Sequence, residues 1–379
     1  MRTAFASEGK RSEVTRMQHM AGKLVVGPVS SDASPVVPSI VVCRSLDDLD
    51  AANLRNVLAV CPEQVGRDCH IEVICKIKGI PVASPTALRQ EGQLWRLELP
   101  EQEPWVLDVD ATGQTTPTFQ VSIFDSYDAS RIDGRSVGSA FIRMEHVLTA
   151  LVSKLDPAIS VSEQLERVAR PYLKEVIDAL PDGVDLVVRG LDVRTGDALA
   201  RLMRTPREEN PDLGEHGVRR LIADTRLAQA ERSMVRTLGP QVRYALPFVT
   251  RSEDLDQYFA LNPLDEAEPA PILFLESPAA IAEVTAFSGF DLAIGLKDIA
   301  QFFFAADRSN ARVAHAIEYR NPGLVRAVCD AVRTAARMGS SVSLYQDRDS
   351  SAAYERGLRG VRWTRSVPAS VHRELVFPQ

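Results

Sequence analysis

Short apolar runs alternate with helical patterns over most of the chain after residue 118. The runs have the length and composition of buried strands, and we predict strands at Phe119–Phe124, Ser139–Arg143, Val184–Arg189, Val242–Pro247, Ile272–Leu275, Leu292–Leu296, Val342–Tyr345 and Val361–Thr364. Amphipathic helical spacing lies between several of them, as over Asn321–Met338 and over Ser162–Ala179, which Pro171 should break or kink. Since parallel strands need such crossovers, the pattern predicts an α/β fold, a (β/α)8 TIM barrel, with a doubly wound open sheet as the alternative.

The first hundred residues have a different pattern, with short strands and frequent turns. Val36–Val42 and Val57–Val60 are apolar runs typical of strands. Helical spacing follows over Ile71–Ile77, and Gly79-Ile80-Pro81 should end that helix. His70 is then expected at or near the helix N-terminus, where exposed N–H groups favour a bound anion. The alternative is a solvent-exposed or capping histidine.

A change of composition separates these two parts of the chain. The segment Leu97–Thr118 is rich in Pro, Thr and Gly, which is typical of a linker. We therefore predict a flexible N-terminal arm at residues 1–22, a small β-rich domain at 23–110 and the barrel at 111–379.

Polar residues directly follow two neighbouring strands of the predicted barrel. Glu276 comes after Ile272–Leu275, and Asp298 follows Leu292–Leu296, with Arg308 further along. Because the carboxyl ends of parallel strands open into one mouth, these side chains should lie together. Two carboxylates beside an arginine can hold a hard cation and an anionic substrate. The alternative is that Glu276 and Asp298 only cap the helices that follow them.

Composition and charge restrict the class of protein. The chain has 379 residues, enough for two domains, and its net charge of −7 gives no electrostatic footprint for nucleic acid. No apolar run is long enough to cross a bilayer, and the N-terminus lacks the apolar core of a secretory signal. The odd number of cysteines, without paired spacing, favours a reducing cytosol. We expect a cytoplasmic protein with neither membrane nor nucleic acid as a partner.

The segment around His70 reads GRDCHIEVICKIKGIP and resembles the phosphohistidine motif of the PEP-utilising enzymes. This family includes phosphoenolpyruvate (PEP) synthase, pyruvate phosphate dikinase and Enzyme I of the sugar phosphotransferase system. The matching residues are Gly66, Cys69, His70, Gly79, Ile80 and Pro81, and the departures are Val65, Asp68, Ile71, Glu72 and Lys76. Asp68 and Glu72 place negative charge near the histidine, which raises the cost of phosphorylating it. The resemblance implies a swivelling domain that carries a phosphoryl group on His70.

Further motifs of the same family follow the predicted barrel strands in the family's order. The similar segments are Arg143-Met144-Glu145, Arg189-Gly190-Leu191-Asp192, Glu209–Arg219, Pro247-Phe248-Val249, Glu276–Ala280, Gly295–Gln301 and Asp307–Asn310. The resemblance implies a PEP- and pyruvate-binding barrel in which Arg143, Arg189 and Arg308 bind the phosphate and carboxylate of PEP. It also implies that Glu276 and Asp298 hold Mg²⁺, or Mn²⁺ in its place.

The chain departs from the family at three places around the implied site. His216 stands where the family has another substrate-binding arginine, and Lys297 replaces an asparagine at the pyruvate end. Tyr345 stands where the family has the cysteine that protonates the enolate of pyruvate. We include His216 and Lys297 among the predicted substrate-binding residues, and we take Tyr345 together with His70 as the predicted catalytic residues.

The resemblance implies a Mg²⁺-dependent phosphotransferase that moves a phosphoryl group between PEP and His70. The acceptor beyond His70 is open, and a separate protein or a small molecule would serve. We expect a homodimer formed through the barrel. Two alternatives remain: a non-catalytic relative that acts as a regulatory or interaction protein, and an enzyme with altered chemistry on a pyruvate-like enolate.

Overall fold

The computed structural model of the chain describes residues 24–44, 46, 49, 51–63, 70–99, 119–194, 199–200, 207–265, 268–310, 312–345 and 351–376. The chain divides into two compact units, one formed from its first hundred residues and one that contains the barrel. The predicted arm at 1–22 and the predicted boundary after residue 110 lie outside the described residues. The division at those bounds therefore stays a prediction.

The first unit contains two small sheets and a helix. Its strands are β1 (Leu24–Gly27), β2 (Val29–Ser30), β3 (Ser39–Cys43), β4 (Val57–Pro62), β5 (Leu88–Glu91) and β6 (Leu94–Glu98). Strands β2, β3 and β4 form a parallel sheet, whereas β1, β6 and β5 are antiparallel. The helix spans His70–Lys78, and Gly79 ends it with a φ of 75°, a conformation that glycine adopts without steric cost.

One strand of this unit begins later than the sequence pattern indicates. The predicted run Val36–Val42 pairs only from Ser39 onwards, and Val36 and Val37 are exposed by 88% and 59%. Pro35 and Pro38 flank these two valines, and proline has no N–H to donate to a sheet. The prediction was wrong for this first part of the run because apolar composition outweighed the prolines.

The second unit is a closed barrel of parallel strands, as predicted. The strands are β7 (Phe119–Ser122), β8 (Val137–Arg143), β9 (Asp185–Arg189), β10 (Val242–Val249), β11 (Ile272–Leu275), β12 (Leu292–Gly295), β13 (Val342–Tyr345) and β14 (Thr364–Pro368). Each strand pairs with the next one, and β14 closes the barrel by pairing with β7. The described helices of this unit are Ser126–Ala129, Met144–Ala150, Val161–Gln164, Arg170–Asp178, Val218–Ala223, Thr225–Thr237, Ser252–Leu261, Pro278–Ala282, Leu296–Phe303, Pro322–Arg337, Ser351–Gly357 and Ala369–Val376.

Two local expectations in the barrel need correction. The helical segment predicted over Ser162–Ala179 does not break at Pro171, because a π-helical turn at Leu165–Ala169 precedes it and Pro171 sits in the first turn of Arg170–Asp178. The helical backbone is continuous from residue 161 to residue 178, and the π-helical turn directly before Pro171 is the irregularity that accommodates the proline. The last strand begins at Thr364 because the N–H of Val361 closes a turn onto the carbonyl of Leu358 at 3.0 Å.

Apolar side chains fill the interior of the barrel beneath the strand ends. A buried cluster joins residues from five strands: Phe141, Val187, Ala245, Ile272, Phe274 and Ala293, with Tyr345 packed against it. This filling leaves chemistry to the carboxyl ends of the strands. Within the described part of the chain, no helix combines the length and the apolar character that a membrane crossing requires.

Candidate active site

Arg143 and Arg189 end the neighbouring strands β8 and β9 and face each other in register. Arg189 is buried and forms ion pairs with Glu145, with Glu276 at 3.2 Å and with Asp192 at 3.6 Å. Burial opposes the charge of the guanidinium, but these carboxylates outweigh it and raise the pKa of Arg189. Arg189 is therefore a fixed cation enclosed by three carboxylates.

Arg143 has no such enclosure. No described carboxylate forms an ion pair with it, and its buried Nε has no hydrogen-bond partner among the described residues. Its guanidinium lies 5.6 Å from the ring centre of Phe141. Burial and the nearby charge of Arg189 lower the pKa of Arg143. The carboxylates of Glu145 and Glu276 partly offset this shift, and a bound anion would add to their effect.

A second group of charges surrounds Asp298, in the first turn of the helix Leu296–Phe303. Its Oδ1 accepts from Nη2 of Arg308 at 3.0 Å and from Nη2 of Arg194 at 2.9 Å. Burial opposes ionisation, but the charges of Arg308 and Arg194 outweigh it and hold the pKa of Asp298 below its usual range. The carboxylate is therefore ionised at any physiological pH.

Glu276 is the residue after β11 and lies within electrostatic reach of Asp298. Burial raises the pKa of Glu276 to about 8 against the opposing charge of Arg189, and the charge of Asp298 adds to the rise. Gly295 leaves the space for this side chain, because a Cβ at Gly295 would lie 2.7 Å from Cγ of Glu276. Glu276 and Asp298 thus occupy adjoining strand ends, as the sequence predicts.

An aromatic layer lies beneath the charged residues. The Tyr345 ring packs against those of Phe141 and Phe274, with both ring centres 4.8 Å away, and Arg189 lies 5.2 Å from the centre of Phe274. The Tyr345 hydroxyl donates a hydrogen bond to Oε1 of Gln120. Burial raises the pKa of Tyr345, so the hydroxyl keeps its proton. The charges of Arg143, Arg189 and Glu276 all act on this hydroxyl, which places it among the predicted site residues.

His216 is buried, and both of its ring nitrogens are within hydrogen-bond distance of oxygen atoms. Nδ1 is 2.6 Å from Oδ1 of Asp192, and Nε2 is 3.1 Å from the carbonyl oxygen of Asp212. Both ring nitrogens are therefore already engaged by oxygen atoms of the protein.

The backbone around His216 is tightly constrained. Gly217 has a φ of 53°, and a Cβ there would lie 2.3 Å from Cβ of Phe248, which itself has a φ of 49°. The rings of His216 and Phe248 are 4.2 Å apart. A positive φ in a phenylalanine is an uncommon, strained conformation that the surrounding packing must impose.

For the two remaining predicted residues, Lys297 and His70, the structure gives the position in a helix. Lys297 is half-buried and lies in the helix Leu296–Phe303, between Leu296 and Asp298. His70 belongs to the first unit and begins the helix His70–Lys78, as predicted, but its side chain lies outside the described residues.

A buried carboxyl group supports the site from behind. Glu231 accepts hydrogen bonds from the N–H of Leu191 at 2.9 Å and from the hydroxyl of Tyr244 at 2.7 Å. Burial raises the pKa of Glu231 to about 7. Gly190 is required for this arrangement, since a Cβ there would lie 2.4 Å from both Oε2 of Glu231 and Oη of Tyr244. Glu231 thus holds the turn between Arg189 and Asp192.

Sequence reasoning missed Arg194, Gln120 and Glu231. Gln120 had a visible signal, because it is a polar residue within the apolar run Phe119–Phe124. Arg194 follows Arg189 by five residues but belongs to no strand or helical pattern. Glu231 lies in a helix, where glutamates are common, and only the tertiary structure shows that its side chain is buried.

Residues 129–347, more than half of the chain, match the family described as PEP-utilising enzyme, PEP-binding domain. The chain belongs to this family. The matched segment contains both halves of the charged site, from Arg143 to Tyr345. The family assignment that the motifs imply is therefore confirmed, together with the barrel.

Curated relatives agree with this assignment at low identity. A PEP-protein phosphotransferase of Haloferax volcanii is 33% identical over 177 residues, which cover 41% of this chain and 30% of the relative. A probable PEP synthase of Archaeoglobus fulgidus is 23% identical over 325 residues, covering 77% of this chain and 43% of the relative. The chain therefore matches less than half of either relative.

One solved structure resembles the chain at a low level of similarity. An HpcH/HpaI aldolase/citrate lyase family protein from Burkholderia cenocepacia is 15% identical, with a TM-score of 0.41, over 72% of this chain and 91% of that one.

Proposed function

We propose that the barrel binds PEP with Mg²⁺ and that a phosphoryl group moves between PEP and His70. One observation carries the proposal: Arg143 and Arg189 stand in register beside two buried carboxyl groups, Glu276 and Asp298, at one end of the barrel. Phosphoryl transfer depends chiefly on charge neutralisation and positioning, and this arrangement offers both.

The charge balance of the site favours a metal–anion pair. Four buried carboxyl groups, Glu145, Asp192, Glu276 and Asp298, lie among four arginines, namely Arg143, Arg189, Arg194 and Arg308. A divalent cation alone would add positive charge, and a phosphorylated anion alone would add negative charge. Bound together, the two ligands nearly cancel each other's charge, and the anion could contact Arg143, which forms no ion pair with a described carboxylate.

Glu276 and Asp298 would hold Mg²⁺, or Mn²⁺ in its place. Mg²⁺ is usually held by one or two protein carboxylates, with substrate oxygens and water completing an octahedron. Among the described residues, no group of three or more His, Cys, Asp or Glu could hold a metal by itself. A site of two carboxylates that substrate and water complete is consistent with this. Burial disfavours the charged form of Glu276 and raises its pKa, and a bound cation would favour that charged form. The metal would neutralise charge that develops on the phosphoryl and enolate oxygens.

The chain's own residues would then divide the reaction between them. The arginines orient the phosphate, the bond between phosphorus and the enol oxygen breaks, and a bond forms between phosphorus and a ring nitrogen of His70. The oxygen that leaves belongs to the enolate of pyruvate. Tyr345 would donate its proton to the methylene carbon of that enolate, and the resulting phenolate would recover a proton from solvent. Gln120 would orient the hydroxyl through its hydrogen bond.

A second candidate is a non-catalytic relative that keeps ligand binding. The observation that favours it is the enclosure of Arg189 by three carboxylates, which would have to give way before a substrate anion could contact this guanidinium. The two candidates differ in whether the histidine is ever phosphorylated.

The intact mass of the protein after incubation with PEP and Mg²⁺ separates them. It is read under mildly alkaline conditions, which preserve phosphohistidine. We expect a phosphorylated species in the wild type and none in His70→Ala. If the wild type gains no phosphoryl group, or if His70→Ala gains as much, the phosphohistidine mechanism is wrong.

A further inference from the structure

Arg194 lies beside His216, and its side chain is more exposed than that of the histidine. We propose that Arg194 binds the anionic substrate of the barrel and takes over the role of the arginine that the family has at the position of His216. The inference rests on the proposed function, because it assigns a further substrate-binding residue to the same site.

The contacts of Arg194 place it at the centre of the charged residues. Its Nη2 is 2.9 Å from Oδ1 of Asp298 and 3.8 Å from Oδ2 of Asp192. Burial opposes its charge, but the surrounding carboxylates, Asp298 foremost, raise the pKa of Arg194. Its guanidinium lies 5.6 Å from the ring centre of Phe248. Arg194 and Arg308 share the same oxygen of Asp298, so both face the carboxylate that we assign to the metal.

His216 contacts two of the same neighbours, Asp192 and Phe248. It bonds to the other oxygen of Asp192, and its ring packs on the same Phe248. Its side chain is only 1% exposed, whereas that of Arg194 is 14% exposed. Since both ring nitrogens of His216 are bonded, His216 has no N–H to offer a ligand unless these bonds break. A substrate anion entering the mouth would meet Arg194 instead.

Asp212 marks the place where such an anion would bind. Its carboxylate accepts from Nη1 of Arg194 at 2.5 Å and from Nε2 of Gln301 at 2.7 Å. The side chain is 32% exposed and belongs to the short 3₁₀ turn Pro211–Leu213. Two converging donors that hold an exposed carboxylate can equally hold a carboxylate or phosphate of the substrate. Asp212 would then be the group that the substrate displaces.

The test compares Arg194→Gln with Arg243→Gln in calorimetric titrations. Arg243 is the control because it is an arginine that pairs with an aspartate, Asp291 at 2.7 Å, but it lies near the amino end of β10. Two probes are titrated into the full chain: Mn²⁺ alone, and PEP in the presence of saturating Mn²⁺. We expect Arg194→Gln to weaken PEP binding about 10- to 100-fold, which is the usual effect of losing a hydrogen bond to a charged group. Arg243→Gln should leave PEP binding as it is.

The titration with Mn²⁺ alone shows whether Arg194 binds the substrate itself or only positions Asp298. Loss of a cation 2.9 Å from Asp298 should leave Mn²⁺ binding equal or tighter. If Arg194→Gln weakens Mn²⁺ and PEP binding by the same factor, Arg194 is a positioning residue and the proposal is overturned. Equal PEP binding in Arg194→Gln and the wild type would also overturn it.

A second variant keeps the proposal testable if Arg194→Gln does not fold. Asp212→Asn removes the competing carboxylate from an exposed turn and should tighten PEP binding, whereas unchanged or weaker binding contradicts the assignment of the anion position. A wild type that binds no PEP with Mn²⁺ would instead contradict the proposed function itself. Failure of the assignment and failure of the function therefore give different results.

Discussion

The hydroxyl of Tyr345, at the end of β13, donates a hydrogen bond to Oε1 of Gln120 on β7. Two aromatic rings, Phe141 and Phe274, hold the Tyr345 ring at the same time. The hydroxyl is therefore fixed in direction, and its raised pKa keeps it protonated. These properties suit a proton donor to a strongly basic carbon, which is the role proposed for Tyr345.

Tyr345→Phe removes this hydroxyl and keeps the ring. We expect phosphorylation of His70 from PEP to survive, because the transfer to the histidine needs no proton on the enolate carbon. Pyruvate formation, or hydrogen exchange at its methyl group, should slow by ~10²–10⁴-fold, the usual contribution of a general acid. Radiolabel transfer to the protein and deuterium incorporation into pyruvate measure the two steps separately.

Tyr172→Phe is the matched control for this variant. The Tyr172 hydroxyl donates to the carbonyl of Phe124 at 2.7 Å, and Tyr172 lies on the helix Arg170–Asp178, outside the barrel strands. Tyr172→Phe should leave both the phosphorylation of His70 and the exchange at the methyl group of pyruvate unchanged. Equal rates of methyl exchange in Tyr345→Phe and Tyr172→Phe would remove Tyr345 from the mechanism.

Asp298→Ala should weaken metal binding, because Asp298 is one of the two carboxylates proposed as metal ligands. Its removal also leaves the charges of Arg194 and Arg308 beside the metal position, which repel a cation further. We expect wild-type Mn²⁺ binding to tighten when oxalate, an imitation of the pyruvate enolate, is present, and this gain should disappear in the variant. Calorimetric titration of Mn²⁺ with and without oxalate measures both effects.

Asp291→Asn serves as the control for the metal experiment. Asp291 also pairs with an arginine, but it directly precedes β12 and so lies near the opposite end of the barrel from Asp298. Its replacement should leave Mn²⁺ binding unchanged. If Asp298→Ala binds Mn²⁺ as tightly as Asp291→Asn does, the metal is held elsewhere or not at all.

Much of the barrel could be predicted because its strands are buried on both faces and therefore form continuous apolar runs. Ile272–Leu275 and Val342–Tyr345 have the predicted bounds, and the charged residues just after such runs meet at one end of the barrel. Predictions failed where a local constraint overrode composition, as at the prolines beside Val36 and Val37. Arg194 could not be assigned from the sequence, because its neighbours Asp212 and Asp298 are brought to it only by the closed barrel.

Glu231 is a buried carboxyl group whose protonation should be visible in the stability of the protein. Burial raises its pKa from 4.5 to about 7, although the hydrogen bonds from Tyr244 and Leu191 favour the charged form. The charges of Glu145 and Asp224 add to the rise, and Tyr258 and Arg232 lie close enough to interact with the same group of residues. Between these two pH values the folded protein holds a proton that the unfolded chain has released.

Glu231→Gln should therefore be less sensitive to pH than the wild type. The stability that the proton provides is complete below pH 4.5 and is lost as the pH rises through about 7. The difference corresponds to about 3 kcal/mol in the free energy of unfolding. The glutamine has no proton to lose, and its amide can still accept from Leu191 while its NH₂ donates to the Tyr244 oxygen. Urea denaturation at pH 5, 6, 7 and 8 should show the wild type losing stability relative to Glu231→Gln, whereas Glu163→Gln, which alters an exposed carboxylate, should follow the wild type. A difference between wild type and Glu231→Gln that stays constant across this range would mean that Glu231 does not titrate there.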